Sequence, residues 1–416
     1  MTAFPSAVDV AVIGAGAAGI GAARRLAQQP RVSVVVLEAR DRVGGRVWTV
    51  ERDGMPLDLG AEWLHSADRN PLTALAETVG FSVHRKLPDW VSRLRRSGES
   101  AAAEAEWLAV REAHYWALHR AASGPEDRAA SAVLDPGERW NPLLDAISTW
   151  ANGVELEHLS LLDHDRYEDS GVNWRVREGY GRLFARLAEG LPVALGTTVS
   201  RIDHRGRDIR IDTSRGAVTA ARAIVTLPTS LLAVEAPRFD PVLPDKIAAA
   251  AGLPLGLADK LFLGFDGRLP GIEDDAHLVG STHRRETMSY QVRPFGRPLI
   301  QCFFGGDFAA AMERDGMAGM AAFAAEELSR LFGAEIRRRL SPLAASAWRG
   351  DAFARGSYSY ARPGHADDRA RLAEPVDERL FFAGEACSAY FFSTAHGAFE
   401  TGVAAAEAAL RSLPQA

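Results

Sequence analysis

The chain has 416 residues, 47% hydrophobic and 25% charged, which is ordinary for a soluble globular protein and enough for two or three domains. A net charge of −6 and a pI ≈ 6.0 argue against nucleic acid as a main partner. Two cysteines, Cys302 and Cys387, make no disulfide framework and read as small buried hydrophobes in a reducing compartment, and no apolar run reaches membrane-spanning length. The N-terminus enters its first strand within a few residues, leaving no room for a signal peptide. The end, Leu413–Ala416, has no hydrophobic tail, so the expected location is cytoplasmic.

Asp9–Ile13 is an apolar run of the kind that makes a buried parallel strand. Gly14, Gly16 and Gly19 follow at the G-x-G-x-x-G spacing. The first allows a tight turn, the second lets the backbone approach a pyrophosphate, and the third lets a helix pack on the strand. The helix expected over Ala18–Gln28 points its N-terminal N–H groups and its dipole at those phosphates, and Pro30 stops it. Val32–Leu37 is the second strand. Glu38 ends it, placed to accept hydrogen bonds from ribose hydroxyls and to repel a 2′-phosphate. Strand, glycine turn, helix, strand and acid together predict a dinucleotide site.

Arg40-Asp41-Arg42-Val43-Gly44-Gly45-Arg46 then sets a second glycine pair and three arginines beside the first phosphate loop, where arginine can grip phosphate oxygens bidentately. Over Glu38–Arg46 the chain resembles the flavin-containing amine oxidase family, nearest to its polyamine and spermine oxidase branch, in which E-A-R-D-R-x-G-G-R binds FAD. The resemblance implies an α/β (α+β) fold. A Rossmann-type FAD-binding domain of the glutathione-reductase-like kind is interleaved with a substrate domain of mixed sheet plus helices. The FAD-binding domain is expected from residues 1–80, 178–235 and 365–416, and the substrate-binding domain from 81–177 and 236–364. Ala18, Arg40, Gly45 and Arg46 join the glycines and Glu38 in the implied FAD site.

After Val47–Val50 and a turn at Asp53-Gly54 comes Leu57–His65, similar to the family's D/E-L-G-A-x-W, which places Gly60, Ala61 and Glu62 near the flavin. His65, followed by Asn70-Pro71, resembles the active-site histidine of the polyamine oxidase branch. On its own, such a histidine would be a structural hydrogen-bonding group. Leu72–Val79 reads as a helix closed by Gly80. In a helix over Ala103–Ala122, Trp107, Val110, His114, Tyr115 and Leu118 fall at helical spacing, as a core stripe does. Six acids between Glu155 and Asp169 read as a solvated helix face or, alternatively, as an acidic funnel for polycations. A helix runs from Gly179 to Glu189. Pro192–Val199 and Ile202–His204 are strands, and Ile209–Thr213 opens a hairpin that turns at Ser214-Arg215-Gly216. Ala223–Leu227 is a buried strand and Pro237–Pro244 a linker. The resemblance sets Val199 against the adenine end.

Lys246–Ala251 is helical and 256–265 enters a strand. The family has a lysine at the place of Lys260, bonded through water to flavin N5. Outside that context a lysine at a strand start is a surface charge. Met288–Val292 and Leu299–Phe304 are strands, and Met317–Phe332 is an alanine-rich helix capped by Gly333. The resemblance lays Trp348 near the flavin and makes Tyr358 one wall of an aromatic cage. The second wall falls at Thr394, which departs from the tyrosine of monoamine oxidases. Ser357 stands where covalent members carry cysteine, which implies non-covalent FAD. The strand Leu380-Phe381-Phe382 ends on Gly384 and Glu385, the family's ribityl and pyrophosphate contacts. The helix starting near His396 aims its N-terminus at the flavin, and Ala395 joins the implied FAD site. Residues 85–155 and 266–340 carry little pattern.

These residues imply an FAD-dependent amine oxidase, with Lys260, His65, Tyr358 and Thr394 around the chemistry. Its partners would be an aliphatic amine or polyamine and O2, yielding hydrogen peroxide, with no nucleic acid or membrane; a homodimer is left open. An L-amino-acid oxidase is the nearest alternative and would need an arginine for the substrate carboxylate: Arg93, Arg285, Arg293 or Arg355. A flavin-dependent desaturase and a catalytically silent flavin-binding scaffold complete the alternatives. The histidines and cysteines lack metal-ligand spacing.

Overall fold

The computed structural model describes residues 4–90 and 93–414, so Gln415 and Ala416 of the C-terminal segment lie outside it. The valine-rich run β1 (Ala7–Ile13) is wholly buried from Val10 onward and pairs in parallel with β2 (Val34–Leu37) and with β3 (Gly216–Val225). Parallel strands need a crossover, and α1 (Ala17–Leu26) supplies it between β1 and β2. Alanine and glycine dominate α1, and the reason is its neighbour. The C-terminal helix Ala395–Ser412 lies so close that a Cβ at Gly21 would stand 2.4 Å from the Phe399 carbonyl oxygen. A Cβ at Gly402 would stand 2.0 Å from that of Ala18.

The first sheet runs in the order Arg238–Asp240, Val199–Asp203, Ile209–Thr213, β3, β1, β2, Val193–Ala194, with Leu380–Phe382 added in parallel to β3. Two expectations change here. Pro192–Val199 is not one strand, because Gly196 at φ 61 turns the chain and leaves Val193–Ala194 and Val199–Asp203 as separate strands. The stretch expected as a linker contains Arg238–Asp240, which pairs in parallel with Val199–Asp203 through buried Phe239. The following helix, Pro244–Gly252, buries Ala249 and Ala250 in the same core, so residues 236–253 pack with the first sheet rather than beyond it.

The second sheet has the order Ala276–Val279, Ser289–Val292, β5 (Leu299–Gly305), β4 (Ala258–Phe265), Leu340–Ala345. Every pairing in it is antiparallel, where a mixed sheet was expected. Three of its strands follow one another through short turns, which antiparallel pairing permits and parallel pairing forbids. Behind it lies a helix that spans Gly306–Phe332, longer than the expected 317–332. Gly316, at φ 68, interrupts its helical geometry, so only the second half shows regular periodicity in the sequence.

A helical layer completes the molecule: α2 (Ala101–Ala122), α3 (Asn141–Asn152) and the short α4 (Leu161–Arg166). Trp107, His114 and Leu118 of α2 are buried as the stripe predicted, with Trp107 packed on Trp140 at 5.7 Å. Tyr115 departs from that core role and stands partly exposed. The layer is tied to the first sheet by a buried ion pair. Arg369 donates to both Asp163 oxygens at 2.6 and 2.7 Å and to Ser359 Oγ at 2.8 Å. Removing one partner of such a pair strands the other charge at a cost of about 3–5 kcal/mol. Asp163→Ala should therefore lower the thermal unfolding midpoint sharply, while Glu157→Ala, at an exposed acid of the same stretch, should leave it unmoved.

Candidate active site

The glycine turn behaves as its spacing predicts. Gly14 has φ 104, and a Cβ there would meet Thr226 Oγ1 at 2.6 Å. A Cβ on Gly19 would lie 1.9 Å from the Gly14 carbonyl oxygen, so α1 seats directly on the turn. Gly16 faces open space, and as the N-cap of α1 it has no side chain to satisfy the first-turn N–H groups. An unsatisfied helix N-terminus at an open cavity is an anion site. The second glycine pair packs on the first: Gly44 N–H donates to the Ala15 carbonyl at 2.8 Å, and a Cβ on Gly45 would lie 3.2 Å from Gly16 Cα. Glu38 accepts from Ala15 N at 2.7 Å and from Arg40 N at 2.8 Å, which fixes its carboxylate at the cavity wall with a lone pair left on each oxygen.

The three arginines do not stand as free phosphate grips. Arg40 is paired bidentately with Asp351 at 2.5 and 2.7 Å. Arg42 donates to the carbonyls of Val43 and Gly45 and lies over Trp48 at 4.5 Å. Arg46 bonds the Ser357 carbonyl at 2.7 Å and Glu385 at 2.8 Å. Glu385 also accepts from Ser359 and Ser393. Burial alone would push its carboxyl up, but the Arg46 charge and the Ser359 bond hold it below the usual range. These arginines are held by protein partners, and Arg40 and Arg46 line the cavity beside the glycine turns.

One cavity of about 1090 Å³ is lined by every residue assigned above to cofactor or chemistry except Gly19, which packs beneath the turn. It runs from Gly14, Gly16, Ala18, Glu38 and Val199 to Gly60, Ala61, Glu62, His65, Lys260, Trp348, Tyr358, Gly384, Glu385, Thr394 and Ala395. Gly60 admits no side chain, since a Cβ would lie 1.8 Å from the Arg46 carbonyl oxygen and 3.1 Å from the Trp348 ring. Trp348 is fixed by its indole N–H donating to the Leu59 carbonyl at 3.1 Å.

Lys260, on β4, is no surface charge. Its Nζ donates to Glu62 at 2.8 Å and to the Asp58 carbonyl at 3.0 Å, with both side chains buried. Glu62 also accepts from Gln301 at 2.6 Å and Arg175 at 3.3 Å, and Arg175 continues to Asp275 at 2.7 Å. Burial pushes the Glu62 carboxyl up, but Lys260 and Arg175 outweigh it and hold it at about 2. The neighbouring Asp58, desolvated with weaker compensation, is pushed up to about 6.

His65 Nδ1 lies 2.7 Å from Asn173 Oδ1. With an acceptor there, Nδ1 carries the proton and Nε2 keeps its lone pair. Burial lowers the His65 pKa against the pull of Asp169 and Asn173, which favours the neutral ring. Tyr358 donates to the Trp150 carbonyl at 2.6 Å, which orients its ring as a wall. Thr394 proves to be a helix cap: its Oγ1 accepts from Gly397 N at 3.0 Å and donates to the Phe391 carbonyl at 2.6 Å. That hydroxyl is spent on the cap, and the residue lines the cavity. Tyr167 and Phe392, edge to face at 5.3 Å, line the cavity as well. No spacing signal announced them, because they come from an irregular loop and a bend.

The six acids are neither one helix face nor a complete funnel. Glu155 is buried and accepts from Asp307 N, Asp163 is paired with Arg369, and Glu157 and Glu168 are on the outside. Asp165 and Asp169 reach the cavity wall. Of the four arginines considered for a carboxylate, Arg285 pairs with Asp145 and Glu286, and Arg293 with Asp274. Arg93 and Arg355 line the cavity. Among the described residues no group of His, Cys, Asp and Glu could hold a metal ion, and no helix is long and apolar enough to cross a membrane.

A family model described as flavin containing amine oxidoreductase matches residues 17–99 and 85–410. Polyamine oxidase 4 of Oryza sativa subsp. japonica is 30% identical over 96% of this chain and 88% of its own length. Polyamine oxidase 2 of Arabidopsis thaliana is also 30% identical, over 96% and 87%. Lysine-specific histone demethylase 2 of Homo sapiens is 26% identical over 95% of this chain and 52% of that protein. Among solved structures, wild-type putrescine oxidase bound to putrescine matches with TM-score 0.72 at 20% identity, over 97% of this chain and 99% of that one. A double mutant from a redesign of its cofactor binding matches with TM-score 0.76 at 20% identity, over 98% and 100%. The chain belongs to the flavin-containing amine oxidoreductase family.

The Glu62 carboxylate gives a pH prediction. Its pKa is lowered from 4.5 to about 2, so its stabilising contribution is complete above pH 4.5 and is lost as pH falls toward 2. Glu62→Gln should remove that part of the acid slope of the thermal midpoint, and should lower the midpoint at neutral pH because Lys260 and Arg175 lose their shared partner. An unchanged acid slope would show that the charge on Glu62 matters little to the fold.

Proposed function

We propose that this FAD-dependent amine oxidoreductase oxidises the C–N bond of a primary or secondary aliphatic amine, the class to which polyamines belong. The amine yields an imine, water converts the imine to an aldehyde with release of ammonia or the smaller amine, and O2 takes the two electrons and two protons as hydrogen peroxide. The observation that carries this reading is the single cavity joining the Gly14–Gly16 turn to Lys260, His65 and Tyr358. The polyamine oxidases among its relatives support the substrate class.

The cradle fits FAD: open space at Gly16 and Gly384, an uncapped α1 N-terminus, and Glu38 fixed at the second strand's end. Bound there, FAD supplies the acceptor for a hydride equivalent from the amine's α-carbon. The protein's own part is positioning and water exclusion. Tyr358 and Trp348 wall the reacting end. Neutral His65 offers Nε2 to an amine N–H, and so holds the substrate with its nitrogen lone pair free. Lys260, anchored by Glu62 and the Asp58 carbonyl, presents a fixed positive end to the reacting centre. Ser357 supports non-covalent binding, since its hydroxyl donates to the Ala258 carbonyl and accepts from Ala258 N at 2.8 Å each. Free Cys302 and Cys387 support the cytoplasm as its location.

Anaerobic bleaching of the purified protein's flavin absorbance by aliphatic amines is the test. Bleaching by members of a panel of putrescine, spermidine, spermine, butylamine and amino carboxylates supports amine oxidation, and silence across it overturns the reading. Lys260→Met should slow reduction or reoxidation of the flavin by roughly 10²-fold. Unchanged rates for both half-reactions would remove Lys260 from the mechanism.

A further inference from the structure

We propose that the cavity is built for an amine that also carries a carboxylate, and that Arg93 binds that carboxylate. The inference rests on the amine-oxidation reading and narrows its substrate class.

Arg93 is 9% exposed and lines the cavity. Its Nε donates to the Trp90 carbonyl at 2.8 Å, and its guanidinium lies 5.7 Å from the Trp150 ring centre. Among the described residues it makes no ion pair. Tyr115 and Arg111 act on it from nearby, the first raising and the second lowering its pKa, and Arg111 is half-buried on the same cavity wall and also without an ion pair among the described residues. Burial pulls Arg93 down to about 10, as desolvation does to a cation.

A buried charge is normally paired, because desolvation of an isolated ion is costly. The rest of this site obeys the rule. Arg175 has Glu62 and Asp275, Lys260 has Glu62, and Arg369 has Asp163. The acids on the wall are exposed and held locally, Asp165 against His119 at 3.0 Å and Asp169 by Gly171 N at 2.8 Å. Arg93 is the exception, and its open side is the cavity. Its place suits a ligand anchor. Trp150, under its guanidinium, accepts the Tyr358 hydroxyl bond, so one residue separates Arg93 from the wall of the reacting end. An amine of a few carbons bearing a carboxylate at its far end would set that group on Arg93, in a bidentate pair. A diamine would bring an ammonium against Arg93 and Arg111 instead.

Two matched comparisons on the holoenzyme test this. Butanoate, which cannot be oxidised as an amine, should perturb the flavin spectrum of the wild type on titration. Its affinity should fall about 30-fold or more in Arg93→Met, and Arg93→Lys should recover part of the loss. In turnover, γ-aminobutyrate should bleach the flavin at lower concentration than putrescine, and Arg93→Met should erase or invert that preference. Flavin content of each variant separates lost binding from lost folding. No butanoate response, or the same affinity in Arg93→Met and wild type, overturns the proposal, as does a wild-type preference for putrescine. Arg93-dependent butanoate binding with no amine oxidised would sustain the anion site and overturn the oxidation reading.

Discussion

A buried chain of opposite charges, Lys260 to Glu62 to Arg175 to Asp275, is the constraint on which the site depends. Its members come from four places: β4, the loop after Leu59, the strand Trp174–Val176 and the turn before Ala276–Val279. None of these segments can shift without leaving an ion in a low-dielectric interior, where an unpaired charge costs several kcal/mol. A hydrophobic filling could give equal stability. What the ions add is direction. Lys260 is held at 2.8 Å by Glu62 and 3.0 Å by the Asp58 carbonyl, so its nitrogen has a fixed place on the cavity wall.

The second constraint is steric and belongs to the backbone. Gly14, Gly19, Gly60 and Gly402 stand where a Cβ would strike protein atoms within 2.6 Å, and Gly16 stands where it would meet none. The first group brings α1, the C-terminal helix and the Trp348 loop together; the last leaves room for a ligand. The arginines between the two glycine turns answer to the same geometry. Arg40 and Arg46 each reach across the cavity's edge to an acid from a distant segment, Asp351 and Glu385, and so close the loop around the glycines.

Much of the first sheet and the glycine site was legible in the sequence because their determinants are local. A glycine spacing, a valine run and an acid at a strand end each specify geometry within a few residues. Lys260, Trp348 and Tyr358 were legible only through family resemblance, and all three line the one cavity. Three kinds of feature escaped. The strand Arg238–Asp240 hid among prolines because a three-residue edge strand has almost no pattern. The long helix 306–332 hid behind Gly316. The partners of Glu62, Arg175 and Asp275 above all, lie 100 or more residues away, and no local signal links charges that meet only after folding. The capping bond of Thr394 to Gly397 was out of reach for a related reason: an alignment with a cage wall says nothing of it.

The distribution of partnered and unpartnered charge then separates structure from recognition. Where a buried ion has its counter-ion within the protein, its electrostatic energy is settled on folding and a ligand gains little by approaching it. Glu62, Asp163 and Arg175 are in that condition. Where a buried ion faces a cavity without a counter-ion, folding has left a desolvation cost that an oppositely charged ligand can offset, and that offset appears as affinity. Arg93 is in that condition. The neutral, lone-pair-bearing His65 lines the same cavity. A substrate neutral at nitrogen and negative at its far end matches both, so one molecule would satisfy at once the need of oxidation for a free amine and the need of the fold for an anion beside Trp150.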